Sequence, residues 1–87
     1  MKVEKMLKKL KGILSAKRHK QLEKYSSLKK VLAALREEKR LLESKLENAR
    51  DEETRHELVS RLKVVSKQRK KGLTVLKELK DERDKSD

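Results

Sequence analysis

LKKVLAALREEKRLLESKLENARDEETRHELVSRLKVVSKQRKKGLTVLKEL, residues 28–79, decides the fold. Wound at about 100° per residue, Leu28, Val31, Leu32, Leu35, Leu42 and Leu46 fall in one narrow sector, and so do Leu58, Leu62, Val65, Leu73, Leu76 and Leu79. Between the two runs lies Asn48-Ala49-Arg50-Asp51-Glu52-Glu53-Thr54, a polar break rich in acid. Two one-sided helices on a short polar link hide their stripes by folding back on each other. The expected fold is all-α: an antiparallel, coiled-coil-like two-helix hairpin over residues 25–83 with its turn near 49–54.

The break carries its own start signal. Thr54-Arg55-His56-Glu57 fits the S/T-x-x-E capping box, with Thr54 and Glu57 satisfying each other's amides. Asp51 is the alternative N-cap, so the second helix is expected to begin between 52 and 55. Its acids sit where the positive end of a helix dipole favours them.

Each stripe has one flaw. Lys39 falls in the first and Arg69 in the second, and partners whose numbers sum to about 104–107 would set Arg69 near Leu35 and Glu38. Glu38 and Arg69 are therefore the expected register pair, with Glu43 opposite Arg61. Gly72 falls on the apolar sector as well, either as a point of close helix approach or as a local weak spot.

Upstream, residues 1–24 hold nine Lys/Arg against Glu4 and Glu23, a balance of +7. Val3, Met6, Leu7, Leu10, Ile13 and Leu14 share one face, so this is a basic amphipathic helical extension. Its stripe is in register with Leu28, Leu35 and Leu42, which allows one unbroken helix. Lys17 and Gln21 interrupt that stripe, and Ser26-Ser27 offers a fresh start with a serine N-cap. Three states stay open: a free arm, a continuous helix, or a segment packed on a second chain. At the far end, residues 84–87 form a polar tail.

Composition bounds the rest. Of 87 residues 33% are apolar and 48% charged, with one aromatic, no Pro, no Cys and a net charge of +12. That balance lies near the disordered class, and the regular helical spacing is what argues for folding. Two thin helices bury too little apolar area to offset the entropy of ordering them, so a homodimer, closing a four-helix bundle, is expected. The longest apolar run, Val31-Leu32-Ala33-Ala34-Leu35, is far short of the ~20 residues that span a bilayer, and no h-region follows Met1. A cytoplasmic protein is the default expectation.

No catalytic constellation emerges. His19 and His56 lie outward on separate segments, and there is no Gly-rich phosphate loop or metal-ligand spacing, so no enzyme, metal, cofactor or small-molecule substrate is expected. The charge is the functional signal. Residues 58–80 carry a second balance of +7, and in the hairpin register the two basic regions meet at the open end. Lys8, Lys9, Lys11, Lys17, Arg18, Lys20, Lys63, Lys67, Lys70, Lys71 and Lys77 are the candidate anion-binding residues. The expected role is a helical interaction and oligomerisation module whose basic end binds an anionic partner such as nucleic acid without strong sequence preference. The alternative is a coiled-coil adaptor or chaperone holding an acidic protein along its helices. Membrane-surface binding by residues 1–24 ranks lower, because no Trp or Phe is there to anchor it.

Overall fold

The computed structural model describes residues 2–85, and every regular element among them is a helix: α1 (Lys2–Leu14), α2 (Arg18–Glu23), α3 (Tyr25–Asn48) and α4 (Glu52–Lys85). The long helices α3 and α4 pack together, and α1 packs on both. The rod measures 53 × 19 × 16 Å, its long axis matching the ~51 Å expected of a 34-residue helix.

Pairings along α3 and α4 run in opposite senses. Near the link, Arg55 donates to the carbonyls of Leu46 and Ala49, each at 3.4 Å; farther along α4, Arg69 Nε donates to the Leu32 carbonyl at 3.4 Å. Partner numbers thus fall on α3 as they rise on α4. The buried residues repeat every seven: Leu28, Leu35 and Leu42 on α3, Val65, Gly72 and Leu79 on α4, Val3 and Leu10 on α1. A seven-residue repeat keeps one seam facing its neighbours along a long helix.

Several expectations are corrected. Leu73 is 40% exposed, and Gly72 takes the buried position beside it. A side chain at 72 would collide: a Cβ there would stand 2.6 Å from Leu32 Cδ2 and 3.1 Å from Leu10 Cδ1. Gly72 is the hollow that receives two leucine tips. Leu58, Leu62 and Leu76 lie only half-buried at the margins of the core that Leu28, Val31, Leu32, Leu35, Leu42, Val65 and Leu79 fill, and Leu46 is half-buried near the link. Arg69 has no ion pair with Glu38, nor Arg61 with Glu43, among the described residues. With the Leu32 carbonyl in reach, the half-buried Arg69 bonds to backbone instead.

The cap of α4 is Asp51, not the Thr54–Glu57 box. Thr54 donates to Asp51 Oδ2 twice, from its backbone N–H at 3.0 Å and its hydroxyl at 2.9 Å. A carboxylate is the stronger acceptor and also complements the helix dipole, which decides between the two. The Thr54 backbone N–H first, then its hydroxyl, hold the Asp51 carboxyl below its ordinary value. A depressed carboxyl stabilises the folded state fully above the ordinary aspartate pKa and loses that contribution as pH falls through the depressed one. The Asp51 carboxyl carbon, titrated by NMR, should show a midpoint below 3.8, and Thr54→Val should move it upward. An unshifted midpoint in the parent protein would remove Asp51 as the cap.

Residues 2–24 form neither one helix with α3 nor a free arm. α1 stops at Leu14, turns through 15–17 and lies on its own chain's α3 and α4. It packs there as a third helix of the same chain. Gln21, 6% exposed, makes the turn possible: its side-chain Nε2 donates to the carbonyls of Ile13 at 3.1 Å and Leu14 at 3.2 Å. A helix leaves its last four carbonyls without partners of its own; the Ile13 carbonyl also accepts from Ala16 N–H at 3.2 Å, and Gln21 adds a second donor there. α2 passes into α3 through Lys24, whose carbonyl accepts from Leu28 N–H at 2.8 Å. The helix therefore starts at Tyr25 with no side-chain cap, and Ser26 and Ser27 lie inside its first turn. At the other end α4 continues through Asp84 and Lys85, so the polar tail is helical there, and Ser86 and Asp87 lie outside the described residues.

Gly12 is the opposite of Gly72. It is exposed, and a Cβ there meets nothing within 4 Å. Gly12→Ala should therefore raise stability by about 0.5–1 kcal/mol through helix propensity and a less flexible unfolded chain, read as a rise in denaturation midpoint. A fall would mean that α1 is not helical there.

Candidate anion-binding face

The two basic runs do not meet at the end of the rod; they lie side by side along its length. Between Glu57 and Glu78, α4 carries no acid, only Arg61, Lys63, Lys67, Arg69, Lys70, Lys71 and Lys77. Between Glu4 and Glu23 the other run is likewise free of acid. α1 accompanies α4 in the same direction: Glu4 and Leu7 share a hollow with Arg61, Val64 and Val65, and Lys11, Leu14 and Ser15 share the next with Gln68 and Lys71.

Joining those two is an open hollow of about 530 Å³, lined by Glu4, Lys5, Leu7, Lys8, Lys11, Val64 and Gln68. Its floor is apolar, with Leu7 half-buried and Val64 50% exposed. Lys5, Lys8 and Lys11, with Glu4, line its α1 side, and Gln68 lies with Val64 on its α4 side. The amphipathic spacing of α1 produces this: Val3, Leu10 and Ile13 face the core, and Lys8 and Lys11 fall on the flank that α4 leaves open.

Of the candidates, Lys8 and Lys11 line the groove with Lys71 at its end. Lys63, Lys67 and Lys70 fall on the side of α4 opposite Val65, Gly72 and Leu79, exposed. Lys9, Lys17 and Lys77 are exposed without an ion pair among the described residues. Arg18 and Lys20 are otherwise engaged. Arg18 pairs with Glu78 at 2.9 Å and Glu82 at 3.8 Å, tying α2 to the end of α4, and Lys20 pairs with Glu23 at 3.8 Å. The open end is therefore mixed in sign. Lys5 and Arg61 belong to the groove and could not be placed there from sequence, because only the return of α1 alongside α4 brings them to it.

Lysine ammonium groups are hydrated point charges suited to phosphate or carboxylate oxygens. The single aromatic is already occupied: the Arg83 guanidinium stands 4.2 Å from the Tyr25 ring centroid and Lys29 Nζ 5.8 Å from it. No platform for stacking a base remains. Among the described residues no group of His, Asp or Glu could hold a metal ion, and no helix is long and apolar enough to cross a membrane. No family model, no curated protein and no solved structure matches the chain.

Proposed function

We propose that the chain is a non-enzymatic helical interaction module: an antiparallel α3–α4 hairpin, closed on one flank by α1, whose basic flank binds an anionic polymer such as DNA or RNA with little sequence preference. The opposed pairings of Arg55 with Leu46 and Arg69 with Leu32, with their seven-residue core repeats, support the hairpin. One observation carries the binding role. Two acid-free basic runs, each far apart in sequence from the other, lie along the same groove. Aligned cations that repel one another are offset by a polyanion, which releases counterions as it binds.

Binding to a fluorescent duplex or single strand, measured across salt, tests it. Affinity should fall steeply with salt and differ little between sequences. Replacing Lys8, Lys11, Lys67 and Lys71 with Gln should lower it for every sequence alike and flatten the log–log salt slope by about one for each phosphate no longer neutralised. An unchanged affinity in that variant would overturn the role.

The apolar floor favours a second reading. Leu7 and Val64 beside the α1 lysines suit an acidic amphipathic helix, which makes an adaptor for an acidic protein the alternative. Binding that resists salt and is lost in Val64→Asp favours that reading over nucleic acid.

A further inference from the structure

Leu7, Leu14, Gln21, Leu28, Leu35 and Leu42 follow at seven-residue intervals straight through the link that separates α1 from α2. Nothing in that link forbids helix. Ser15, Ala16 and Lys17 include no Pro or Gly, and no described residue has a left-handed backbone. Lys17 sits at φ −68° and ψ 157°, so its φ is already helical and only its ψ is extended.

The core shows which residues of α1 and α3 meet. Leu10 and Leu32 both reach the hollow at Gly72, and they lie eleven residues on either side of Gln21. Two unbroken helices crossing antiparallel about a two-fold axis at Gln21 would reproduce that meeting between chains. Leu10 would face the partner's Leu32, Leu14 the partner's Leu28, and Leu7 the partner's Leu35.

We propose that two copies of the chain exchange α1: residues 15–17 and the joint at Lys24, now at φ −99° and ψ 17°, straighten into helix, and each α1 takes on the partner the seat that it takes on its own α3 and α4. The hydrogen bonds balance in both forms. Folded back, Gln21 satisfies the Ile13 and Leu14 carbonyls. In the straight helix those carbonyls accept from the backbone N–H groups of Lys17 and Arg18, and the two Gln21 side chains are free to pair across the axis. A single polar residue in an apolar seam sets register in this way. Exchange of an identical element about a short hinge needs no new surface, because the core packing it uses already exists in one chain.

The chain has no cysteine, so paired labels can be placed at will. Lys8 and Gln68 line one groove, and the double variant Lys8→Cys, Gln68→Cys reports whether α1 lies on its own α4 or on another's. Sedimentation should show mass doubling with concentration. A short bismaleimide should then join chains in the dimer and close a loop within the chain in the dilute monomer.

Arg18→Pro provides the control. Lys17 ahead of it is extended and position 18 is the first of α2, both of which suit proline in the folded-back form. In a straight helix the same proline breaks the bond to the Leu14 carbonyl and clashes with it. The ion pairs removed with Arg18 are exposed and contribute little. The variant should remain a folded monomer, with the interchain product reduced at least about tenfold in keeping with the penalty for proline inside a helix. A parent protein that is monomeric at every attainable concentration overturns the exchange, as does a dimer whose cross-links all lie within chains. An Arg18→Pro variant that dimerises like the parent overturns it too. Should Arg18→Pro fail to fold, the cross-link pattern in the parent background decides alone.

Discussion

Leu10→Ala is expected to lower unfolding stability by about 3 kcal/mol, within the 2–5 kcal/mol typical of a leucine truncated in a closed core. Leu10 is 0% exposed, and its Cδ1 reaches the hollow at Gly72 on α4. Truncation removes the transfer energy of three carbons and leaves a void lined by Leu32 and the α4 backbone, which rigid helices fill poorly. Against a total stability of 5–15 kcal/mol for a domain, that loss is large. Urea unfolding followed by circular dichroism should show a lower midpoint at an unchanged slope. The same residue on a detached basic arm would cost less than about 0.5 kcal/mol, the usual range for surface changes. One variant thus separates a packed α1 from a free one.

Gly72→Val should destabilise by roughly 1–3 kcal/mol, against the direction of helix propensity. Almost any residue is a better helix former than glycine, so a solvent-facing Gly72 would gain from the change. Its Cβ would stand 2.6 Å from Leu32 Cδ2, however, and valine adds two methyls beyond that point. Leu32 and Leu10 both have to move, and neither has an empty space to enter, since Leu32 is 3% and Leu10 0% exposed. Gly72→Ala should fall between the extremes, because the flexible tip of Leu32 can yield to one carbon. Measured beside Gly12→Ala, the two glycines should respond with opposite signs. A Gly72→Val protein as stable as its parent would mean that α1, α3 and α4 do not converge at that point.

Helical periodicity made α3 and α4 legible because burial on a long helix repeats along a line that residue spacing reveals. Leu28, Leu35, Leu42, Val65 and Leu79 could be read from it. Leu73 could not: positions 72 and 73 lie about 100° apart, and the stripe is broad enough to take in both. Hydrophobicity alone points to the leucine; the tips of Leu10 and Leu32 need the glycine. Thr54 and Glu57 had the right spacing for a capping box, yet Asp51 three residues earlier offered a charged acceptor to the same Thr54. Local patterns compete, and the stronger acceptor wins.

The return of α1 was the least legible feature. An in-register stripe from Val3 to Leu42 is satisfied by one straight helix or by a folded-back pair, and periodicity does not distinguish them. Gln21 held the clue: a glutamine on an apolar stripe, seven residues before Leu28, is a buried donor in need of acceptors. The ends of helices supply such acceptors. Lys5 and Arg61 were illegible as groove residues for the same reason, because their neighbourhood exists only once α1 lies along α4.

Lys8→Cys and Gln68→Cys, spin-labelled and diluted into unlabelled protein at a concentration where the chain sediments as a monomer, test the placement of α1 most directly. Two residues lining one groove between neighbouring helices should give a narrow distribution with a backbone separation on the order of 10 Å. Were α1 instead to continue straight from α3, position 8 would lie some 28 residues from the level of Gln68. The separation would then be about 40 Å at 1.5 Å per residue, and a peak there would contradict the folded-back α1 and the basic groove it forms.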